Sequence, residues 1–146
     1  MNQPTLVIVS GYFGPLHVGH LDYIEAGAAA GDELFVIVNN NLQQELKKGR
    51  VIIDEADRHR IVAALGCVDH SMVAVDADGT VSASIEHIAQ RFGEHRIIFG
   101  NGGDRDGDAA VPETEICERY GVEMIFDMGG NAKADSSSRL IEELGL

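Results

Sequence analysis

Two histidines, His17 and His20, stand three residues apart just after the stretch Ser10-Gly11-Tyr12-Phe13-Gly14-Pro15-Leu16. On a helix that spacing puts both side chains on one face. A helix start there also offers unpaired N–H donors and the positive end of the helix dipole. Two imidazoles at such a place can donate hydrogen bonds to a triphosphate, and to the charge that grows on it during attack. Gly19 lies between them, where a side chain would obstruct a ligand. The competing use of a histidine pair is metal binding. Two helical histidines without an adjacent acidic third ligand make a weak zinc site, so no protein-held metal is expected. The loop contains neither GxGxxG nor GxxxxGK[ST], which sets aside a dinucleotide fold and a P-loop.

An anion site needs positive charge, and this chain has little of it. Its 24 acidic and 11 basic residues give a net charge of -13. Such a surface repels nucleic acid and anionic membranes, so neither is expected as a partner. Five of the 11 basic residues nevertheless fall in one stretch, Lys47, Lys48, Arg50, Arg58 and Arg60. The plain reading is a solvated charged segment; the functional one is a local phosphate site. Lys48, beside Gly49, is preferred over Lys47 as the phosphate lysine, and Arg58 offers a bidentate fork. Arg60, two residues on, faces elsewhere and is expected at the surface.

These residues need a scaffold. Continuous apolar runs at 6–9, 34–38, 72–75, 97–99 and 124–126 suit strands buried on both faces. Helical patterns lie between them at 17–30, 56–65, 81–92 and 112–120, with a last one at 137–144; the first four end at Gly31, Gly66, Gly93 and Gly121. The alternation predicts an α/β fold: a Rossmann-like three-layer α/β/α domain over residues 1–146, with a five-stranded parallel sheet in the order 3-2-1-4-5. Ligands of such sheets bind beyond the strand carboxyl ends. There the unpatterned loops 10–16, 39–54, 100–111 and 127–136 should gather. Cys67 and Cys117 form no motif and read as buried small residues. No apolar run is long enough to span a bilayer, no secretion signal is evident, and a cytoplasmic protein is expected. His59, His70, His87 and His95 belong to no evident constellation and read as surface or satisfied structural residues.

Gly11 to His20 resembles the GxFDxxHxGH signature of the cytidylyltransferase-like nucleotidyltransferase superfamily. That group includes glycerol-3-phosphate cytidylyltransferase and the adenylyltransferase domain of ADP-heptose synthesis. The similarity continues along the chain: Gly31-Asp32-Glu33-Leu34 as the turn into the second strand, Lys47-Lys48-Gly49 as the lysine segment, and Arg58 ahead of Val68-Asp69. Gly102-Gly103-Asp104-Arg105 resembles the GGD segment of the heptose-type adenylyltransferases, and Ser136-Ser137-Ser138 the family's hydroxyl motif at the last helix start. Two departures stand out. The family aspartate is Gly14, and Lys133-Ala134-Asp135 replaces an RTxGI lead-in.

The resemblance implies transfer of CMP, slightly favoured, or AMP from CTP or ATP to a phosphorylated or phosphonate small molecule, with release of pyrophosphate. It implies His17, His20, Lys48 and Arg58 as catalytic residues. Gly11, Tyr12, Phe13, Gly19, Gly103, Asp104, Arg105, Ser136, Ser137 and Ser138 would bind the nucleotide. Mg2+ would arrive with the triphosphate, and a homo-oligomer, most simply a dimer, is expected. Asp104 and Arg105 also suit a plain turn, and Ser136 to Ser138 a plain helix cap. The alternative function is a regulatory nucleotide-binding module of the same fold without turnover.

Overall fold

The computed structural model describes residues 3–102 and 111–128. Within them, five strands form one all-parallel sheet in the order β3-β2-β1-β4-β5. The strands are β1 (Thr5–Gly11), β2 (Glu33–Val38), β3 (His70–Val73), β4 (Arg96–Gly102) and β5 (Glu123–Met128). The helices are α1 (Val18–Ala29), α2 (Asn41–Lys48), α3 (Glu55–Ala63), α4 (Ser82–Arg91) and α5 (Thr114–Tyr120). This is the Rossmann-like arrangement the apolar runs predict.

The pleat explains the continuous apolar runs. In β1, Leu6 and Ile8 point to one face, where they pack with Ile85 and Ile88 of α4 and Ile116 of α5. Val7 and Val9 point to the other, against Ile24 of α1 and Val62 of α3. Alternate residues of a parallel strand thus feed two cores, and both must be apolar. Register is held at the strand starts by carboxylates. Asp32 Oδ2 accepts from Thr5 N–H at 2.7 Å, and Asp69 Oδ2 from Leu34 N–H at 2.8 Å.

The sequence reading of 39–54 as loop is corrected in its first half. Asn40 caps a two-turn helix there, its side chain accepting from Gln43 N–H while Gln43 accepts from Asn40 N–H. Gly49 ends it at φ 82°, a left-handed position that suits glycine. The pattern Asn-x-x-Gln before a glycine stop carries this helix in the sequence, as a capping box. It lacks a wide apolar stripe, so periodicity alone passes over it. The other helices fall within two residues of their predicted limits; the one predicted at 137–144 lies outside the described residues. The strand predicted at 72–75 sits two residues earlier.

Cys117 is buried, and burial with the nearby Glu113 charge pushes its thiol up to about 12. Cys67 is only partly buried, a correction to its reading as a core residue. Two of the histidines set aside are bonded structural residues, as expected, but they do form a cluster. His70 and His95 both bond Glu33, at 2.8 and 2.7 Å, and these bonds hold the Glu33 carboxyl below its usual range. The three residues stand at the starts of β2, β3 and β4, the sheet edge opposite the expected site.

Candidate active site

The sheet order reverses between β1 and β4. Their pairing ends at Ile8 and Phe99, and the two chains part beyond it. Tyr23 of α1 spans the gap, its hydroxyl donating to Gly100 O at 2.6 Å and accepting from Ser10 N–H at 3.2 Å. A crevice at such a switch point is where open α/β sheets bind ligands.

The loop that leaves β1 there is tightly built. Phe13 has φ 50°, which a non-glycine residue adopts at a cost of roughly 1–3 kcal/mol. Its ring is buried and turned back over Gly11, where a Cβ would meet it at 2.8 Å. Gly11 therefore permits the fold of the loop. A Cβ on Gly14 would stand 3.0 Å from Arg58 Cδ and 3.2 Å from Gln44 Nε2. The residue in the family's aspartate position is thus the floor on which Arg58 lies.

His17 is the N-cap of α1, and His20 is its third helical residue. The two close a capping box made of imidazoles. His17 Nδ1 accepts from Gly19 N–H at 3.1 Å, and His20 Nδ1 accepts from His17 N–H at 3.3 Å. The rings stack at 3.9 Å, and Phe13 meets His20 edge-on at 5.1 Å. An imidazole nitrogen that accepts cannot carry the proton, so each neutral ring holds its proton on Nε2. The pair is two N–H donors held in one orientation by the backbone of the helix they start. Burial, reinforced by the neighbouring His17, lowers the His20 pKa to about 4. His20 is therefore a neutral donor at pH 7.

The predicted cations divide. Lys47 places Nζ 4.7 Å from the centre of the Tyr12 ring, beside the loop. It also lines a cleft of about 180 Å³ with Ser10, Tyr12, Asn39, Asn101 and Glu113. Lys48 is the last residue of α2 and is exposed. Arg60 is exposed as expected. Arg58 is completely buried. It donates to Ile53 O at 2.8 Å, Tyr12 O at 2.9 Å, Asn39 O at 2.6 Å and Asn41 Oδ1 at 3.0 Å. Four of its five N–H groups thus tie the β1 loop, the end of β2 and the start of α2 to α3. Burial lowers its pKa, offset by Glu55 and Asp54. Burial likewise raises that of Tyr12, which keeps its proton at pH 7.

Gly103, Asp104, Arg105 and Ser136, Ser137 and Ser138 lie outside the described residues. Four polar residues that sequence reasoning did not single out stand at the site. Asn39 and Asn101, at the ends of β2 and β4, are nearly buried, as are Gln43 and Glu113. Gln43 Nε2 donates to Asp78 O and Thr80 O, tying α2 to the loop before α4. Glu113 Oε2 accepts from Val81 N–H at 3.0 Å. Asn39 and Asn101 had only position as a signal, a polar residue directly after an apolar run; Gln43 had its place in the Asn-x-x-Gln capping box, and Glu113 had none. Among the described residues no group of three or more His, Cys, Asp or Glu is placed to hold a metal ion, and no helix is long and apolar enough to cross a membrane.

Known proteins share this architecture. The cytidylyltransferase-like family model matches residues 8–143. The FAD synthase of Natrialba magadii is 31% identical over 140 residues, which cover 96% of this chain and 88% of that protein. The bifunctional protein HldE of Geobacter metallireducens is 31% identical over 144 residues, and there the chain spans only 28% of the relative. A lipopolysaccharide core biosynthesis protein from Thermoplasma volcanium superposes with a TM-score of 0.69 at 24% identity, over 90% of this chain and 99% of that one. That last match bears on the fold alone.

Proposed function

The chain belongs to the cytidylyltransferase-like family of nucleotidyltransferases, and from that premise we propose that residues 1–146 form one catalytic domain moving a nucleoside monophosphate onto a phosphorylated small molecule. An oxygen of the acceptor phosphate attacks the α-phosphorus of a nucleoside triphosphate. The bond from the α-phosphorus to the bridging oxygen breaks, and pyrophosphate leaves with that electron pair. No covalent enzyme intermediate is required. The observation that carries this reading is the interlocked His17–His20 pair, two backbone-fixed Nε2–H donors at the start of α1.

Each residue then has a part. The histidine donors neutralise charge on the phosphates as the bridging bond breaks, and their fixed tautomers remove any cost of reorientation. A neutral His20 can donate from Nε2 while its Nδ1 goes on accepting from the His17 N–H. Lys47, at the mouth of the loop, supports the role of phosphate cation better than Lys48, the sequence preference, because its ammonium stands beside Tyr12. Arg58 acts as a positioning residue, holding the Tyr12 carbonyl and the end of β2 in place. Lys48 and the loop beyond it stay as phosphate contacts to be tested, as do Asp104, Arg105 and Ser136 to Ser138. Magnesium fits as a passenger of the triphosphate. The donors at the site are N–H groups, which bind phosphate oxygens and leave the cation to phosphate and water. When bound it supplies charge neutralisation.

The donor base is the finer question. The slight sequence preference for CTP finds no support in the relatives' names. One relative, the FAD synthase of Natrialba magadii, is named for a product that contains adenine, which favours ATP. The test is pyrophosphate release with ATP or CTP, Mg2+ and a panel of phosphate monoesters. Release that depends on both triphosphate and acceptor is expected, with ATP the better donor. Release indifferent to the acceptor would indicate hydrolysis and count against transfer.

A further inference from the structure

Beyond Ile8 and Phe99, β1 and β4 part without ending. β1 runs on to Gly11 and stays paired with β2, Ser10 opposite Ile37 and Gly11 opposite Val38. β4 runs on to Gly102 and stays paired with β5, Gly100 opposite Ile125 and Gly102 opposite Met128, across an irregularity in its register. The sheet is therefore split along its middle for the last three residues of each strand. Two extended strands side by side ordinarily close on each other, because backbone groups left unpaired between them cost free energy. We infer that the Tyr23 hydroxyl is the wedge that keeps them apart, and that Tyr23 is a positioning residue that sets the width of the nucleotide crevice. The inference rests on the nucleotidyltransferase reading and names a residue that shapes its site.

The place of the hydroxyl in the ladder is the first argument. Gly11 O accepts from Asn39 N–H, towards β2, so the backbone of Ser10, one residue earlier, faces β4. With Ile8 opposite Phe99, a continued register puts Ser10 opposite Asn101. In a parallel ladder an N–H reaches the carbonyl of the residue before its partner, so the next rung would run from Ser10 N–H to Gly100 O. Tyr23 joins those same two groups: its hydroxyl accepts from Ser10 N–H at 3.2 Å and donates to Gly100 O at 2.6 Å. One hydroxyl thus takes the place of one rung, and both backbone groups stay paired while the strands stand apart. The helix is the second argument. Tyr23 lies three residues after His20 and four before Gly27, on one stripe of α1. A Cβ on Gly27 would stand 2.9 Å from Val9 Cγ1 and 3.1 Å from Leu34 Cδ1. Glycine there lets α1 lie close to the sheet, so that a tyrosine one turn earlier reaches the backbone of the split. The stripe also carries the His20 donor, so the wedge ties the spacing of the strand ends to the histidine pair.

The test is Tyr23→Phe, which keeps the ring and removes only the oxygen. Val62→Ala is the control, since it loosens the same core from α3 without touching the split. NMR on isotope-labelled protein reads the scalar coupling across a hydrogen bond from Ser10 N to the Gly100 carbonyl carbon. Calorimetry reads binding of ATP and CTP with Mg2+, and urea titration reads stability. The expected result is no such coupling in the parent and a clear one in Tyr23→Phe, as the strands close by one rung. Triphosphate should bind about 10- to 100-fold more weakly to Tyr23→Phe, the size of a lost hydrogen bond or two to a charged group. The urea midpoint of that variant should stay close to the parent's, because a new rung replaces the bridge. Val62→Ala should do the reverse, with a lower midpoint and the parent's affinity. Absence of the coupling in Tyr23→Phe overturns the wedge; a lower midpoint would then show that the hydroxyl only satisfies two backbone groups. The coupling with unchanged affinity overturns the positioning role, as does equal weakening in Val62→Ala. A parent that binds neither triphosphate overturns the underlying function, on which the coupling, read without nucleotide, does not depend.

Discussion

If His20 is held neutral by burial, the protein should lose stability as acid is added, and by a calculable amount. An unfolded His20 takes a proton near pH 6.5, whereas the folded one resists until about pH 4. Between those values the unfolded chain binds more protons, so stability falls as pH falls. At roughly 1.4 kcal/mol per unit, the full gap amounts to about 3 kcal/mol, of which about 2 kcal/mol is lost between pH 7 and pH 5. Other groups of the chain also change protonation with pH, so the wild-type curve alone is not diagnostic. The informative variant is His20→Gln. Glutamine at the third helical position can still accept from the His17 N–H in a capping box, yet it does not titrate. Urea unfolding at pH 7, 6, 5 and 4.5 should show wild type losing about 2 kcal/mol more than the variant by pH 5, with equal m-values. A stability difference that does not change with pH would refute the buried, neutral His20 and with it the assigned tautomer.

Four further outcomes follow from the same geometry. His17→Ala and His20→Ala should each lower turnover roughly 100-fold or more by removing a donor from the transition state, measured as kcat in folded variants with triphosphate affinity checked separately. Arg58→Met should destabilise by about 3 kcal/mol or more in urea titrations, because several buried acceptors lose their donor, and Arg58→Lys should not restore a four-bond fork. Gly14→Ala should cost about 1–3 kcal/mol by forcing a methyl against Arg58 and Gln44, read from the same titrations. Amides of 45–48, being inside a capped helix, should exchange slowly before nucleotide is added, and any slowing on addition should fall at 49–52; uniform fast exchange across 42–52 would contradict the helix.

The frame of the fold was legible because the central strands β1, β2 and β4 bury both faces, whereas β3 and β5 at the sheet edges are only partly covered. That requirement writes an unbroken apolar run, as at 34–38, that local propensity does not blur. The juxtaposition of His17 and His20 was legible as well: residues three apart at a helix start share one face, where their rings stack. What escaped were roles decided by tertiary contact. Helix α2 is short and polar, stabilised by its caps and by bonds from Asn40 and Gln43 to the β3–α4 loop. Arg58 reads from sequence as a phosphate ligand, yet three backbone carbonyls converge on it. Asn101 and Glu113 acquire meaning only when β4 and the segment before α5 meet beside β1. His70 and His95 become a pair only through Glu33, 37 and 62 residues away in sequence.

The central claim is that the His17–His20 pair promotes attack at the α-phosphorus. It is tested most directly with a triphosphate labelled at the α-phosphate, supplied with Mg2+ and a panel of phosphate monoesters, with the fate of the label followed in wild type and in His17→Ala and His20→Ala. The account predicts label on the acceptor, one unlabelled pyrophosphate per transfer, and loss of both in the variants while nucleotide stays bound. Bound nucleotide with no label transferred by wild type would contradict it and point to a regulatory nucleotide-binding module, as would equal transfer with and without the histidines to a different catalytic centre.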